Sequence, residues 1–191
     1  MHHVGMKVEV TLDTGCLDDA DIDAVKRAGQ EVGCEVDVRT VSVSSRERGR
    51  PTPGVGGVPE TAVWDESRWG EAVWGDDRPV SELLVLDETP LGAGVLAGIQ
   101  DSTRFEAILH VISNGSFPSA GSRDRLTKGQ TNQLRDAMAL EAHAREGRMV
   151  FVTRDRKGFI DNGRRDTLER LCSTRIVTPE EVEDALRSVV R

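Results

Sequence analysis

The order of the first three elements constrains the fold of this chain more than any other feature of its sequence. Residues 6–12 form a strand-like run, and a helix capped by Asp18 or Asp19 follows and ends at Gly33. Residues 35–43 alternate apolar and polar side chains, which is typical of a second strand. A strand, a helix and a strand in this order predict a parallel sheet.

The rest of the chain continues the alternation of helices and strands around one long irregular segment. The further predicted elements are helices over 103–113, 129–146 and 165–171, strands over 148–153 and 175–177, and a last helix beginning at Thr178. Residues 44–61 are rich in Ser, Arg, Gly and Pro and predict a loop, whereas residues 80–88 fit either a strand or a helix. We therefore predict one α/β domain over residues 1–191, with an insertion at approximately 44–100.

Composition narrows the class of protein. Three widely spaced cysteines argue against a disulfide framework and against a cysteine-based zinc site, and they fit a reducing cytosol. No apolar run approaches the ~20 residues that cross a bilayer, and the N-terminus lacks the apolar core of a signal peptide. The expectation is a cytoplasmic protein without membrane contact.

Charge is unevenly distributed along the chain. The net charge of −8 argues against a basic coat that binds nucleic acid over the whole surface. Residues 120–175, however, contain 13 basic and 8 acidic side chains, so this part alone is positively charged. Eight of these basic residues are predicted to contact phosphates: Arg123, Arg125, Lys128, Arg154, Arg156, Lys157, Arg164 and Arg165.

Three aspartates occupy positions that bring them to one edge of the predicted sheet. Asp13 and Asp155 directly follow strands, and the carboxyl ends of parallel strands share one rim where ligands bind. Asp136 lies in the helix that leads into the strand before Asp155, and helix and strand return the chain to the same end. Each aspartate alone would be an ordinary turn or surface residue, and only their combination indicates chemistry.

Clustered carboxylates require a counter-charge, because their mutual repulsion raises their pKa values. Oxygen-only ligands at this density suit Mg²⁺ or Mn²⁺. Such a cation orients and activates water and offsets charge on a phosphate, which is the chemistry of phosphodiester hydrolysis.

The residues around these aspartates resemble a known family. The stretch LRDAMALEAHAREGRMVFVTRDRKGF is similar to the C-terminal half of a PIN domain, the metal-dependent ribonuclease fold of many toxins and RNA-processing nucleases. The matching features are Asp136, the strand VFV, Thr153-Arg154-Asp155 and Phe159. LDT at residues 12–14 and the closing RIVTPEEVEDAL also match. The resemblance covers residues 6–17 and 131–187 and is poor between 44 and 100.

This resemblance implies a PIN-like three-layer α/β/α fold with a central parallel sheet and an inserted Trp/Gly-rich segment. It also implies an endoribonuclease in which Asp13, Asp136 and Asp155 bind one or two Mg²⁺ or Mn²⁺ ions, with Thr153 as a supporting hydroxyl. The family's further acid is a mid-chain glutamate, for which Glu88 is favoured over Glu66 and Glu82 ranks third. RNA is the expected substrate, and an antitoxin-like inhibitor protein and a homo-oligomer are the further partners considered.

Other interpretations remain open. The fold could serve as a catalytically weak module that binds nucleic acid or protein. Residues 92–98 (GAGVLAG) suggest a nucleotide-binding loop, but Asp87–Pro90 separate this run from the preceding strand, where the motif needs its first glycine. Trp64, Trp69 and Trp74 could stack on bases, although packing within the insertion is the more common use of such residues.

Overall fold

A parallel sheet lies at the centre of this protein. The computed structural model describes residues 6–41, 60–61, 83–84, 95–96, 99–119, 122–123 and 125–190. The strands are β1 (Lys7–Leu12), β2 (Glu35–Val41), β3 (Glu60–Thr61), β4 (Leu83–Leu84), β5 (Val95–Leu96), β6 (Val150–Val152) and β7 (Arg175–Val177). The helices are α1 (Asp19–Val32), α2 (Ile99–Ile112), α3 (Lys128–Arg145), α4 (Arg164–Cys172) and α5 (Val182–Val190).

The strand order creates a crevice at the centre of the sheet. The spatial order is β3-β2-β1-β6-β7 with every pair parallel, and β4 pairs separately with β5. From β1 the chain first extends the sheet through β2 and β3, and later adds β6 and β7 on the other side of β1. The order therefore reverses between β1 and β6. In open α/β sheets, ligands bind at this switch point, outside the carboxyl ends of the strands.

Helices cover both faces of the sheet. Val8, Val10 and Leu12 of β1 pack with apolar residues of α1 and α5, whereas Phe151 of β6 and Ile176 of β7 pack with α2, α3 and α4. This division follows from the alternation of side chains along each strand, which sends neighbouring residues to opposite faces. The predicted α/β class with a central parallel sheet is thus confirmed for the described residues.

Helix ends are closed by capping residues, of which Asp18, Gly33 and Thr178 were indicated by the sequence. Asp18 caps α1 by accepting a 2.8 Å hydrogen bond from the Asp21 backbone, and Gly33 ends this helix in the left-handed conformation at a φ of 80°. Thr127 and Gln130 form a capping box at the start of α3. Thr178 and Glu181 form a second box before α5.

The predicted loop needs one correction, at its end. Residues 44–61 were expected to be irregular throughout, but Glu60 and Thr61 form β3 and pair with Thr40 and Val41 of β2. Without β3, the end of β2 would present unpaired backbone groups along the sheet edge, and even two residues satisfy some of them. Of the rest of the insertion, the structure describes only β4, β5 and the start of α2, and Trp64, Trp69 and Trp74 lie outside the described residues.

A side chain binds one backbone N–H at the opposite edge of the sheet. The backbone N–H groups of Arg175 and Thr153 take part in pairing between β7 and β6. The N–H of Ile176, the residue after Arg175, points away from β6 and donates to Glu169 Oε1 at 2.8 Å. A carboxylate from α4 therefore occupies a backbone donor on the outer side of β7.

A buried polar group joins α3 to the sheet. His143 is fully buried, with Nδ1 2.8 Å from Thr11 Oγ1 and Nε2 2.6 Å from Thr174 Oγ1. The Thr174 hydroxyl donates its proton to the Met149 carbonyl, so it accepts a hydrogen bond from Nε2 of the ring. The Thr11 hydroxyl accepts from Arg148 and can donate its own proton to Nδ1. These contacts fit a neutral imidazole that is protonated at Nε2. Burial, reinforced by the positive charge of Arg148, lowers the pKa of His143 to about 3.

The three cysteines are free thiols, and all are buried. This agrees with the expectation that the chain has no disulfide framework. Within the described ranges, none of the helices combines the length and the apolar character needed to cross a bilayer.

The neutral state of His143 predicts a specific loss of stability in acid. The His143 ring is protonated below about pH 6.5 in the unfolded chain but only below about pH 3 in the folded chain. The free energy of unfolding therefore falls as the pH falls between these two values. Between pH 7 and pH 5 the free energy of unfolding should decrease by about 2 kcal/mol from this group. Urea unfolding at both pH values measures the change.

The His143→Gln variant is the control for that experiment, because glutamine has no ionisation in this range. The variant's stability should depend less on pH between 7 and 5 than the parent's. An unchanged pH dependence would show that other groups cause the acid sensitivity.

Candidate functional site

Asp13 stands at the switch point with both carboxylate oxygens oriented by hydrogen bonds. Its backbone N–H donates to the Val152 carbonyl at 2.9 Å, which places it beside the end of β6. Oδ1 accepts from the Thr14 backbone at 2.8 Å, and Oδ2 accepts from Thr153 Oγ1 at 2.7 Å. The residue is only 9% exposed. Its carboxylate is therefore held in one orientation at the end of β1.

Thr153 joins the segments that follow β1 and β6. Its hydroxyl is fully buried, donates to Asp13 Oδ2 and accepts a 3.0 Å hydrogen bond from the Asp155 backbone N–H. A hydroxyl has one proton to donate and lone pairs to accept, so a single side chain serves both residues. Thr153 thereby fixes the position of Asp155 relative to Asp13.

Asp155 and Asp136 approach each other around Gly158. The Asp155 carboxylate accepts a 3.0 Å hydrogen bond from the Gly158 backbone N–H, at the start of a short π-helical turn over Arg156–Ile160. A Cβ atom at Gly158 would overlap Asp155 Oδ2 and would lie 3.7 Å from Asp136 Oδ2. The two carboxylates thus adjoin the same point in space, although Asp136 belongs to α3. A side chain at position 158 would therefore have to displace the Asp155 carboxylate.

A chain of contacts connects the three aspartates that the sequence singled out. Asp13 is bonded to Thr153, Thr153 to Asp155, and Asp155 shares the space beside Gly158 with Asp136. Carboxylate oxygens are the donors that hard divalent cations prefer, so the donor chemistry fits Mg²⁺ or Mn²⁺.

The cluster is not a complete ligand set. Among the residues with described positions, no group of three His, Cys, Asp or Glu side chains is arranged to hold a metal ion. The three glutamates considered as the further acid, Glu66, Glu82 and Glu88, lie outside the described residues. Asp13, Asp136 and Asp155 therefore stand as neighbours at the switch point, without forming a closed cation site.

Arg154 has a partner that the sequence analysis did not anticipate. Its Nε and Nη2 atoms donate to the two carboxylate oxygens of Asp21 at 3.1 and 2.5 Å, and Glu180 lies 3.5 Å from Nη1. The hydrogen bond to Asp21 raises the pKa of Arg154. The sequence does not single out Asp21, because an acid in the first turn of a helix ordinarily interacts with the helix dipole. Nothing in the local sequence indicates a partner 133 residues away.

Several predicted phosphate contacts are occupied by structural partners. Arg123 is 3% exposed, donates both terminal nitrogens to Glu106 at 2.8 and 2.7 Å, and lies over the Phe117 ring. It is therefore not accessible to a phosphate, which corrects the expectation for this residue. Arg165 is paired in the same bidentate manner with Glu181.

The remaining basic residues differ in their exposure and in whether their side chains are hydrogen-bonded within the fold. Arg164 donates to the backbone carbonyls of Val111 and Lys157 and is half-buried. The exposed residues are Arg125, Lys128, Arg156 and Lys157, of which Arg156 lies 3.3 Å from Asp161. These four side chains can reach a ligand in solvent without first leaving a buried partner.

Cysteine chemistry has no support at this site. Cys16 lies in the turn after Asp13, but burial raises the pKa of its thiol to about 12, and the charges of Asp13 and Asp21 act in the same direction. The thiol is therefore protonated at neutral pH. A protonated, buried thiol is neither a nucleophile nor a metal ligand.

No family model, curated protein or solved structure matches this chain.

The contact at Gly158 can be tested with a pair of glycine variants. Gly158→Ala should destabilise the protein by about 1–3 kcal/mol, because the new methyl group displaces the Asp155 carboxylate. Gly129→Ala, in α3 with open space around the new Cβ, should instead stabilise it by about 0.5–1 kcal/mol. Chemical denaturation measures both changes. Equal effects of the two substitutions would mean that the Asp155 carboxylate does not crowd Gly158.

Proposed function

We propose that this protein is a Mg²⁺- or Mn²⁺-dependent endoribonuclease. The observation that supports the proposal is the chain of contacts, through Thr153 and the space beside Gly158, that connects Asp13, Asp155 and Asp136 at the switch point of a parallel sheet. Acids of this kind need a partner of opposite charge, and a phosphodiester is a substrate that a divalent cation can both bind and activate.

Each side chain has a distinct task in this proposal. Asp13, Asp136 and Asp155 would hold the cation, and a mid-chain glutamate, Glu88 or Glu66, would complete the set. Thr153 keeps the Asp13 carboxylate in place, and the Gly158 N–H does the same for Asp155. The cation, when bound, supplies Lewis acidity and orients the attacking water.

The proposed reaction is hydrolysis of one phosphodiester bond. A water oxygen forms a new bond to phosphorus in line with the leaving group, and the bond from phosphorus to the 3′ oxygen breaks. The products carry a 5′-phosphate and a 3′-hydroxyl, and the protons of water supply the hydroxyl. The half-buried cluster favours this chemistry, because charge interactions strengthen where water is partly excluded.

RNA is the proposed substrate through the resemblance to PIN domains alone. The three layers of helix, sheet and helix are consistent with that resemblance. Arg125, Lys128, Arg156 and Lys157 are exposed and are proposed to hold the flanking phosphates. A cytoplasmic location and an antitoxin-like inhibitor belong to the same proposal.

A binding module with little catalysis is the second candidate. Both oxygens of Asp13 already accept hydrogen bonds, and the described acids do not form a closed ligand set. These two observations favour a protein that has the same arrangement of residues but binds no metal ion and therefore has little catalytic activity. Cleavage assays separate the two candidates.

The nuclease proposal predicts metal-dependent cleavage that requires Asp136. The purified protein with Mn²⁺ should cut single-stranded RNA, and EDTA should stop the reaction. Asp136→Asn should reduce the rate by about 100-fold or more, because even residues that only support metal ligands contribute 10–100-fold. Its melting temperature should stay close to that of the parent, since the substitution conserves shape.

Asp166→Asn is the matched control, because it makes the same chemical change on an exposed position of α4. This variant should cut RNA at the parent rate. Cleavage that survives Asp136→Asn would point to a contaminating nuclease, and RNA binding without cleavage would favour the binding module.

Phosphate contacts by the exposed basic residues should be visible in the salt dependence of RNA binding. In the Asp136→Asn background, Lys157→Gln should weaken binding and reduce the slope of log affinity against log salt by about 0.7. Arg175→Gln, at the amino end of β7 and therefore at the far end of the sheet, should leave the slope unchanged. Equal slopes for both variants would exclude a phosphate contact at Lys157.

A further inference from the structure

Three consecutive residues after β6 point to three different partners. Thr153 contacts Asp13 at the end of β1, Arg154 contacts Asp21 in α1, and Asp155 turns back onto Gly158. The outer residues of this triplet belong to the proposed metal site. The middle residue reaches away from the site, to the helix that follows Asp13 in the chain.

The contact between Arg154 and Asp21 has the geometry of a rigid clamp. Two roughly parallel hydrogen bonds join the guanidinium to the carboxylate, at 3.1 and 2.5 Å. Such a bidentate pair restrains orientation as well as distance, which a lysine cannot do. The Asp21 side chain is only 8% exposed, and its backbone N–H is bound by the Asp18 cap. The clamp is therefore anchored on a fixed part of α1.

The clamp supplies a further connection between the same two segments. At the strand ends, the Asp13 N–H donates to the Val152 carbonyl and Thr153 donates to Asp13 Oδ2. The clamp adds a side-chain connection one residue further along, beyond the last paired residues of β1 and β6. The Arg154 stem also packs near the turn after Asp13, where a Cβ at Gly15 would lie 3.8 Å from Arg154 Cβ.

Arg154 is half-exposed, at 47%, but carboxylates already surround its charge. Asp21 holds two of its nitrogens, and Glu180 lies 3.5 Å from the third. A phosphate would have to compete with both. This arrangement favours a structural task for Arg154 over the substrate contact that the sequence suggested.

We infer that Arg154 and Asp21 are positioning residues, which hold the segment carrying Asp155 at the correct distance from Asp13 for a divalent cation to bind both. The inference rests on the proposed function. Magnesium and manganese tolerate little displacement of their ligands, so loss of the clamp should weaken the binding of the cation.

The test measures Mn²⁺ binding alone, through the electron paramagnetic resonance signal of the free ion. Arg154→Gln, Arg154→Lys and Asp21→Asn should each raise the dissociation constant for Mn²⁺ by about 10–100-fold. The double variant Asp21→Asn/Arg154→Gln should be no worse than either single variant, because the two residues act as one unit. The melting temperature of each variant, compared with that of the parent, shows whether the variant folds.

Arg187→Gln is the matched control, because Arg187 forms an exposed ion pair with Glu183 on α5, away from the segments that the clamp joins. It should bind Mn²⁺ like the parent. Parent affinity in the three clamp variants, or additive losses in the double variant, would overturn the inference while leaving the proposed function intact. A parent protein that binds no Mn²⁺ would overturn both.

A folding defect would not obscure the outcome. If Arg154→Gln does not fold, Arg154→Lys retains the positive charge and tests the bidentate geometry alone. If neither variant folds, the clamp is required for the fold itself, and the inference of a positioning role is overturned.

Discussion

The buried hydroxyl of Thr153 is the contact on which the centre of this molecule depends. It binds the carboxylate of Asp13 and the backbone of Asp155, so it joins the ends of the two strands between which the sheet reverses its order. A methyl group in its place would leave a buried carboxylate oxygen and a backbone N–H without this partner, and such losses cost about 1–3 kcal/mol each. A single uncharged side chain thereby connects two of the three acids.

Much of the fold could be predicted because local signals and tertiary packing agree. The caps at Asp18 and Thr178 and the apolar stripe of Phe105, Ile108, Leu109 and Ile112 behave as their spacing indicates. The strand at Glu60–Thr61 could not be predicted, because its pairing depends on the edge of β2 and not on its own composition. Two residues carry too little pattern to distinguish a strand from a loop.

The candidate site could be predicted in part, for a related physical reason. The topology of a parallel sheet brings strand ends together, so Asp13 and Asp155 could be placed at one rim from sequence alone. Ion pairs across the fold have no such rule. In the sequence, Arg123 and Arg154 are basic residues of the same positively charged stretch as the exposed Lys157. In the structure, Arg123 is paired with Glu106 and Arg154 is paired with Asp21. A positive charge in a sequence indicates a ligand contact only once its partners in the fold are known.

The side chain of Glu169 has a consequence for how copies of this protein can meet. It binds the Ile176 N–H on the outer side of β7, where another chain would otherwise add a strand. Pairing with a foreign strand at this edge would first have to break that hydrogen bond and expel a carboxylate. A strand added at β7 would thus replace a contact that the fold already satisfies, which disfavours edge-to-edge pairing there.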